Sequence, residues 1–401
     1  MSTTLSTLAG VPASDLDPFC DAFLTDPYPG HEELREAGPV VELTRYGIVA
    51  MARYDDVRAA LNDWETYSSA SGVGLSDFRK ETPWRPPSLL LEADPPAHTR
   101  ARAALGRVLS PTAVRGLRDM FEREAARLVD ELIERGRFDA IEEMARRYPV
   151  NVFSDAVGLP NHGREALLPY GNIAFNAFGP RNDRLAASLN EFPDLGAAIA
   201  TMCRRDVLSP DGMGAEIYKA ADRGEVTAEE AALLVRSFLT AGLDTTANGI
   251  GNTLVSLVRH PDQWERLVAD PSLAKFAYEE AIRYESPVQV FFRTTTRPVD
   301  VDGAHIDEGR KVLLFLAGAN RDPRRWTNPA QYDITRRSTA NVGFGYGIHI
   351  CIGITIARLE GEVLLETFAR KVKTLEADGE PRIRLNNTLR GWHSLPVRIS
   401  A

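Results

Sequence analysis

Cysteine is scarce in this chain. Only Cys20, Cys203 and Cys351 occur in 401 residues, an odd and widely spaced set that argues against a disulfide framework or a CxxC zinc site. Thiol chemistry therefore rests on one cysteine at a time. Long apolar runs are missing as well: no segment reaches the ~20 apolar residues that span a bilayer. Met1 to Asp17 carry no positive cluster followed by an apolar stretch, so neither a secretory signal nor a membrane anchor is expected, and the expected location is the cytoplasm. Positive charge is in deficit, with 47 Lys and Arg against 56 Asp and Glu and a net charge of −9. A nucleic-acid partner is not expected, because phosphate binding needs a basic footprint. No repeat, low-complexity tract or Gly/Pro-rich linker interrupts the chain. Residues 17–401 are read as a single domain behind a flexible start over residues 1–16.

What is present is the composition of a globular protein with a large core, 44% hydrophobic and 26% charged. One local exception to the acidic balance is the crowding of Arg100, Arg102, Arg107, Arg115 and Arg118, which reads first as a solvated helix face. Short β signals occur at Val40 to Arg53, at Phe291 to Leu316 with turns at Asp302-Gly303 and Glu308-Gly309, and at Ile383 to Ile399. Each reads as a hairpin in a minor sheet. The remainder shows helical periodicity, as in Thr112 to Arg135, Leu273 to Tyr284 and Ile354 to Lys373. The expected fold class is mainly α with small β-sheets.

The longest expected helix opens on a capping-box pattern, Thr227 with Glu230, and runs to His260-Pro261, roughly 33 residues or about 50 Å. Its middle, Ala241-Gly242-Leu243-Asp244-Thr245-Thr246 followed by Gly249 and Gly251, is poorly suited to a helix interior, where each Gly costs about 1 kcal/mol relative to Ala. Close packing against a neighbour explains Gly249 and Gly251. For Gly242 a groove against a ligand is an equal reading, because Thr and Asp side chains can take up backbone groups opened there.

The most specific segment is Phe344-Gly345-Tyr346-Gly347-Ile348-His349-Ile350-Cys351-Ile352-Gly353, leading into a helix. Its glycines permit a tight loop, and a thiolate just before a helix N-terminus gains from the dipole and free N–H groups, which lower its pKa from about 8.5. A phosphate cradle fits poorly, since neither GxGxxG nor GxxxxGK[ST] can be laid on these residues. A nucleophile with His349 as base is awkward at a two-residue separation, and a buried cysteine without a role is the ordinary alternative.

Phe344, Gly347, His349, Cys351, Gly353, Ala357 and Glu360 fit the pattern FxxGxHxCxGxxLAxxE, with Ile356 in place of Leu. In this the segment resembles the cysteine loop of the cytochrome P450 family. The resemblance implies a cytochrome P450 fold and a haem b cofactor (Fe protoporphyrin IX), with Cys351 as its metal ligand and Phe344 and Gly353 beside it. Thiolate ligation in that family favours O–O cleavage. Glu280-Ala281-Ile282-Arg283 matches the ExxR element, with Arg336 completing its cluster; on spacing alone the pair would be an ordinary surface contact. Resemblance also assigns His98, Arg102, Arg293 and His349 to haem propionates, a role that suits charge-assisted bonds. Ala241, Gly242, Asp244 and Thr245 match the oxygen-binding stretch, with Asp244 and Thr245 as the catalytic pair that delivers protons.

The resemblance extends to a bacterial subgroup that oxidises para-substituted benzoates. It rests on Gly72 to Phe78, Trp84 to Ser88, Phe175 to Pro180 and Asn386 to Gly391. It implies Arg85, Ser88 and Ser237 at a substrate carboxylate, with Leu91, Phe175, Phe178, Val288 and Phe291 as apolar walls. Thr240 would sit near the acid end, adding a methyl where serine is expected. The implied reaction is monooxygenation of a small aromatic carboxylic acid with O2, such as O-demethylation of 4-methoxybenzoate. Ferredoxin and ferredoxin reductase would supply electrons, and the arginines after Asp94 would include a docking patch for an acidic ferredoxin. A monomer is the default expectation. The rival readings are a peroxygenase and a non-catalytic haem ligand sensor, and the acid–alcohol pair at Asp244-Thr245 speaks against both.

Overall fold

The computed structural model describes residue 8 and residues 10–401. Seven helices frame the site: α1 (Ala97–Val108), α2 (Arg118–Arg135), α3 (Leu167–Asn176), α4 (Ala228–Ala241), α5 (Asp244–Arg259), α6 (Ala274–Tyr284) and α7 (Ile354–Lys371). Helix α7 packs between α2 and α6. Phe121 and Leu128 of α2 and Leu364, Leu365 and Phe368 of α7 are fully buried there, each worth about 1.5–3 kcal/mol in apolar transfer. Gly361 lets α7 approach closely, since a Cβ on it would lie 2.4 Å from the Tyr278 ring of α6. Gly249 of α5 faces the hydroxyl of the same tyrosine and Gly251 faces Ile141, so both are packing glycines as their cost implied.

The capping box forms as expected. Thr227 Oγ1 accepts from the Glu230 N–H at 3.1 Å, and the Glu230 carboxylate accepts from the Thr227 N–H at 2.8 Å. The single helix expected from Thr227 to His260 is corrected to two, α4 and α5, separated by Gly242 and Leu243. The cause is local: the hydroxyls of Thr245 and Thr246 donate to the carbonyls of Ala241 (2.5 Å) and Gly242 (2.9 Å), competing with the helix ladder where glycine already weakens it. The helix expected from Thr112 also breaks, at Gly116 and Leu117 before α2.

The three β signals do not form three separate hairpins. Strands β1 (Ala13–Ser14), β2 (Val41–Leu43), β3 (Ile48–Met51), β4 (Tyr67–Ser68), β5 (Val290–Thr295) and β6 (Lys311–Phe315) join one mixed sheet in the order β1-β2-β3-β6-β5-β4. The parallel register of β3 on β6, Val49 opposite Val312, unites the first two signals. The third divides: β7 (Arg382–Leu385) pairs with β8 (Arg390–Ser394), while Pro396–Ser400 joins another sheet. Part of the start expected to be flexible is ordered, because Ala13 and Ser14 pair with Glu42 and Leu43; residues 1–7 and 9 lie outside the described residues.

Glu280 and Arg283 are fully buried, not a surface pair. Arg283 grips both carboxylate oxygens at 2.9 and 2.7 Å and donates to the carbonyls of Asn320, Pro329 and Gln331. Arg336 adds a bond to Glu280 at 3.1 Å, and the Ser338 hydroxyl donates to the same carboxylate. This cluster ties α6 to the segment that leads into the cysteine loop.

Candidate active site

The cysteine loop is fixed by backbone geometry. Gly345 and Gly347 take φ of +75° and +69°, a region that side chains with a Cβ rarely enter. A Cβ on Gly347 would also lie 2.7 Å from the Leu61 carbonyl. The Cys351 N–H donates to the Phe344 carbonyl at 2.8 Å, which turns the sulfur into a cavity of about 1520 Å³ including its open mouth. Burial pushes the Cys351 thiol above its ordinary pKa, with the Gly353 N–H, Arg102 and Arg358 pulling the other way. The pull of the loop amide on the sulfur expected from the sequence is present, and in the empty cavity desolvation outweighs it.

Two arginines and two imidazoles gather at one rim. Arg102, Arg293 and His349 line the cavity, and the His98 ring lies 4.5 Å from that of His349. His349 Nδ1 meets the Leu90 carbonyl at 3.1 Å, whereas Nε2 of both histidines is buried without a partner. Burial lowers Arg293 to about 10, and burial followed by the neighbouring His349 and Arg102 charges lowers His98 to about 4. A soft sulfur and a set of under-partnered N–H donors fit haem b: Cys351 would hold its iron, and Arg102, Arg293 and the histidines would hold its propionates.

At another part of the cavity stand Arg85, Ser88, Ser237 and Thr240. The Ser88 and Ser237 hydroxyls are 3.4 Å apart. Ser237 Oγ donates to the Leu233 carbonyl at 3.0 Å and Ser88 Oγ accepts from the N–H groups of Leu90 and Leu91, so in the long contact between them the Ser88 hydroxyl is the donor, and its proton can turn to a bound anion. Arg85 is largely buried, its Nε lacks a partner, and its Nη2 lies 3.8 Å from Glu92. Thr240 donates to the Arg236 carbonyl at 2.9 Å, so it offers the cavity its methyl. Leu91, Phe175, Val288 and Phe291 form apolar wall, and Ala241, Gly242, Thr245, Phe344 and Gly353 also line the space. Gly242 serves two purposes, since a Cβ there would lie 2.5 Å from the Phe153 ring.

Three expected site residues lie off the cavity wall. Phe178 stands behind it, edge-on to Phe175 and Phe291 at 5.6 and 5.9 Å between ring centroids. His98 stands behind His349. Asp244 turns away: Oδ1 accepts from Arg384 at 2.6 Å, Oδ2 is buried without a partner, and the side chain lines a separate small cavity with Arg146, Asn248 and Arg384. The arginine crowd is largely neutralised. Arg100, Arg107 and Arg118 pair with Glu230, Glu225 and Glu362, which leaves Arg102 and Arg115 without a carboxylate partner among the described residues.

Sequence reasoning missed Glu92, Arg236 and Arg384. Glu92 accepts from the Ser88 N–H at 2.7 Å, and Arg236 holds the Pro86 carbonyl at 2.7 Å. The only local signal was the four-residue step from Ser88 to Glu92; Arg384 is 140 residues from its partner Asp244.

Residues 272–399 match the cytochrome P450 family model. Cytochrome P450 CYP199A2 of Rhodopseudomonas palustris is 56% identical over 98% of this chain and 95% of its own length. Cytochrome P450 107B1 of Saccharopolyspora erythraea is 34% identical over 96% and 98%. Among solved structures, P450 CREJ in complex with (4-ethylphenyl) dihydrogen phosphate superposes with a TM-score of 0.84 at 26% identity, covering 95% of this chain and 98% of that one. Similarity at this level along almost the whole length, joined to a cysteine sulfur facing a cavity suited to haem b, places the chain in the cytochrome P450 family as a haem-dependent monooxygenase.

Proposed function

We propose that this enzyme inserts one oxygen atom from O2 into a para-substituted benzoic acid, by O-demethylation of 4-methoxybenzoate or a related hydroxylation, with electrons from a ferredoxin and its reductase. The observation that carries the reading is a single apolar cavity that holds Cys351 in one place and, in another, a buried Arg85 with an unpartnered Nε beside two serine hydroxyls. Haem b, when bound through Cys351 and the rim groups Arg102, Arg293, His98 and His349, supplies the activation of oxygen. Arg85, Ser88 and Ser237 bind the carboxylate, and Leu91, Phe175, Val288 and Phe291 grip the ring, with Phe178 behind them. Two ends held at once leave a planar acid one orientation, which presents its para substituent to the reacting centre. A neutral aromatic would leave the Arg85 Nε without an acceptor and only the loose 3.8 Å contact with Glu92, which costs affinity. The likeness to CREJ supports this class, since that protein's complex holds a para-substituted ring bearing an anionic group.

Asp244 and Thr245 handle protons. The Asp244 carboxylate takes protons from the small cavity at Arg146 and Asn248, and on leaving Arg384 it passes them towards the Thr245 hydroxyl, which lines the main cavity. Titration of the ferric protein with 4-methoxybenzoate tests the substrate reading: a low-spin to high-spin shift of the Soret band is expected, and its absence would remove the benzoate class. Thr245→Ala is expected to divert most reducing equivalents into hydrogen peroxide, measured as peroxide formed per product; undiminished coupling contradicts the role of Thr245.

A further inference from the structure

The Asn386-Asn387-Thr388 turn between β7 and β8 has no part in the chemistry above, yet it is almost wholly buried. Its polar groups converge on the end of α3. Asn387 donates from its backbone N–H to Asn176 Oδ1 and from Nδ2 to the Asn176 carbonyl, both at 2.9 Å. Asn386 Nδ2 reaches Asn172 Oδ1 at 2.9 Å, and the Thr388 hydroxyl donates to the Phe175 carbonyl at 2.7 Å. Asn387 Oδ1 also accepts from Asn182 at 2.9 Å and Arg184 at 2.5 Å, beyond the helix. The carbonyls at a helix C-terminus need partners from outside the helix; here a segment about 210 residues downstream provides them.

Two glycines allow the fit. A Cβ on Gly179 would lie 2.5 Å from Asn387 Cβ, and on the opposite side a Cβ on Gly74 would lie 2.8 Å from the Phe178 backbone. The Leu75 N–H donates to the Phe178 carbonyl at 2.8 Å. Leu389, next in the turn, packs with Phe175, Phe178 and Val73 in one apolar cluster. The stretch that carries both phenylalanines is therefore clamped from two sides, and the asparagine side is the more heavily bonded.

We propose that the Asn386–Thr388 turn is a latch that holds Phe175 and Phe178 closed against the cavity, and that Asn387 is the positioning residue that sets how large an aromatic ring the site admits. The proposal rests on the aromatic-acid reading for its substrate and on hydrogen bonds alone for the latch. Its test uses the haem-loaded protein, wild type and Asn387→Ala, with Asn387→Asp as a second variant that keeps the Oδ1 acceptor but sets a carboxylate oxygen, in place of a donor, against the Asn176 carbonyl.

Two readouts apply. Hydrogen exchange of amides 173–179 is expected to quicken about tenfold in Asn387→Ala, the loss of one to two net hydrogen bonds, and by at least as much in Asn387→Asp. Exchange at 364–368 in α7 is expected to stay unchanged, which a general loss of stability would move. Soret titrations are expected to show 4-methoxybenzoate weakened about tenfold on the same reasoning, while the bulkier 4-benzyloxybenzoate holds or gains. Unchanged exchange at 173–179, or equal losses for both acids, overturns the latch. If the wild type responds to neither acid, the aromatic-acid reading falls and exchange at 173–179 alone decides the latch.

Discussion

Two groups of buried cations in this protein differ in how completely they are answered. Arg283 has a carboxylate across two of its nitrogens and three carbonyls on the rest, and neither it nor Glu280 has any exposed side chain. Arg85 has an unpartnered Nε and a carboxylate only at 3.8 Å, and Arg293 has one bond to the Phe292 carbonyl; beside Arg293 stand two imidazoles held neutral by burial, with a carboxylate, Asp94, only at 3.7 Å from His349 Nε2. An unpaired buried charge costs several kcal/mol. The Glu280–Arg283 cluster is thus complete within the fold, whereas Arg85 and Arg293 keep donor capacity, which on the reading proposed above a substrate carboxylate and haem propionates would take up.

The contrast can be broken at three points. The largest effect is expected at the scaffold: Glu280→Ala strands Arg283 without its counter-charge and should cost about 3–5 kcal/mol, read as low haem content and a lowered thermal midpoint. Near-normal stability would mean that the cluster is not what holds α6 to the cysteine loop.

The Arg85 site should respond in the opposite sense. Arg85→Ala is expected to weaken 4-methoxybenzoate about 10- to 100-fold while leaving its methyl ester and the thermal midpoint nearly unchanged, because a charge-assisted bond of about 1.5–3 kcal/mol is lost from the complex and only the loose 3.8 Å contact with Glu92 from the empty fold. Equal losses for acid and ester would discredit the carboxylate site.

The smallest effect is a pH dependence. His98 is held near 4 by burial and by His349 and Arg102, against an ordinary value of 6.5, so the unfolded chain binds its proton more readily. The stability His98 contributes is therefore present above pH 6.5 and lost as pH falls towards 4, amounting to about 1 kcal/mol near pH 5.5. In haem-free protein His98→Gln should flatten that acid limb in urea unfolding; an identical limb in both proteins would place the titration elsewhere.

Much of this site was legible because its signals are local. The Thr227–Glu230 cap, the packing roles of Gly249 and Gly251 and the turn at Asp302-Gly303, with φ of +47° and +85°, depend on neighbours a few residues away. The cysteine loop was legible through its pattern, while Glu280 and Arg283 read on spacing alone as a surface pair, since spacing carries no information about burial. What stayed hidden depends on distant partners. Arg384 holding Asp244, Asn387 holding the end of α3 and β3 joining β6 each unite residues more than 130 apart. The break at Gly242 was half legible: glycine and threonine announced a weak helix, yet only packing against Phe153 and the threonine-to-carbonyl bonds decided that it would open.

On the reading proposed above, the Cys351 sulfur would hold the haem iron as a thiolate. Carbon monoxide added to the reduced protein tests it most directly. The strongly red-shifted Soret band of a thiolate-ligated carbonyl is expected in the wild type, and an imidazole-type band in its place in Cys351→His. An imidazole-type band in the wild type, or a thiolate-type band that survives Cys351→His, would contradict it.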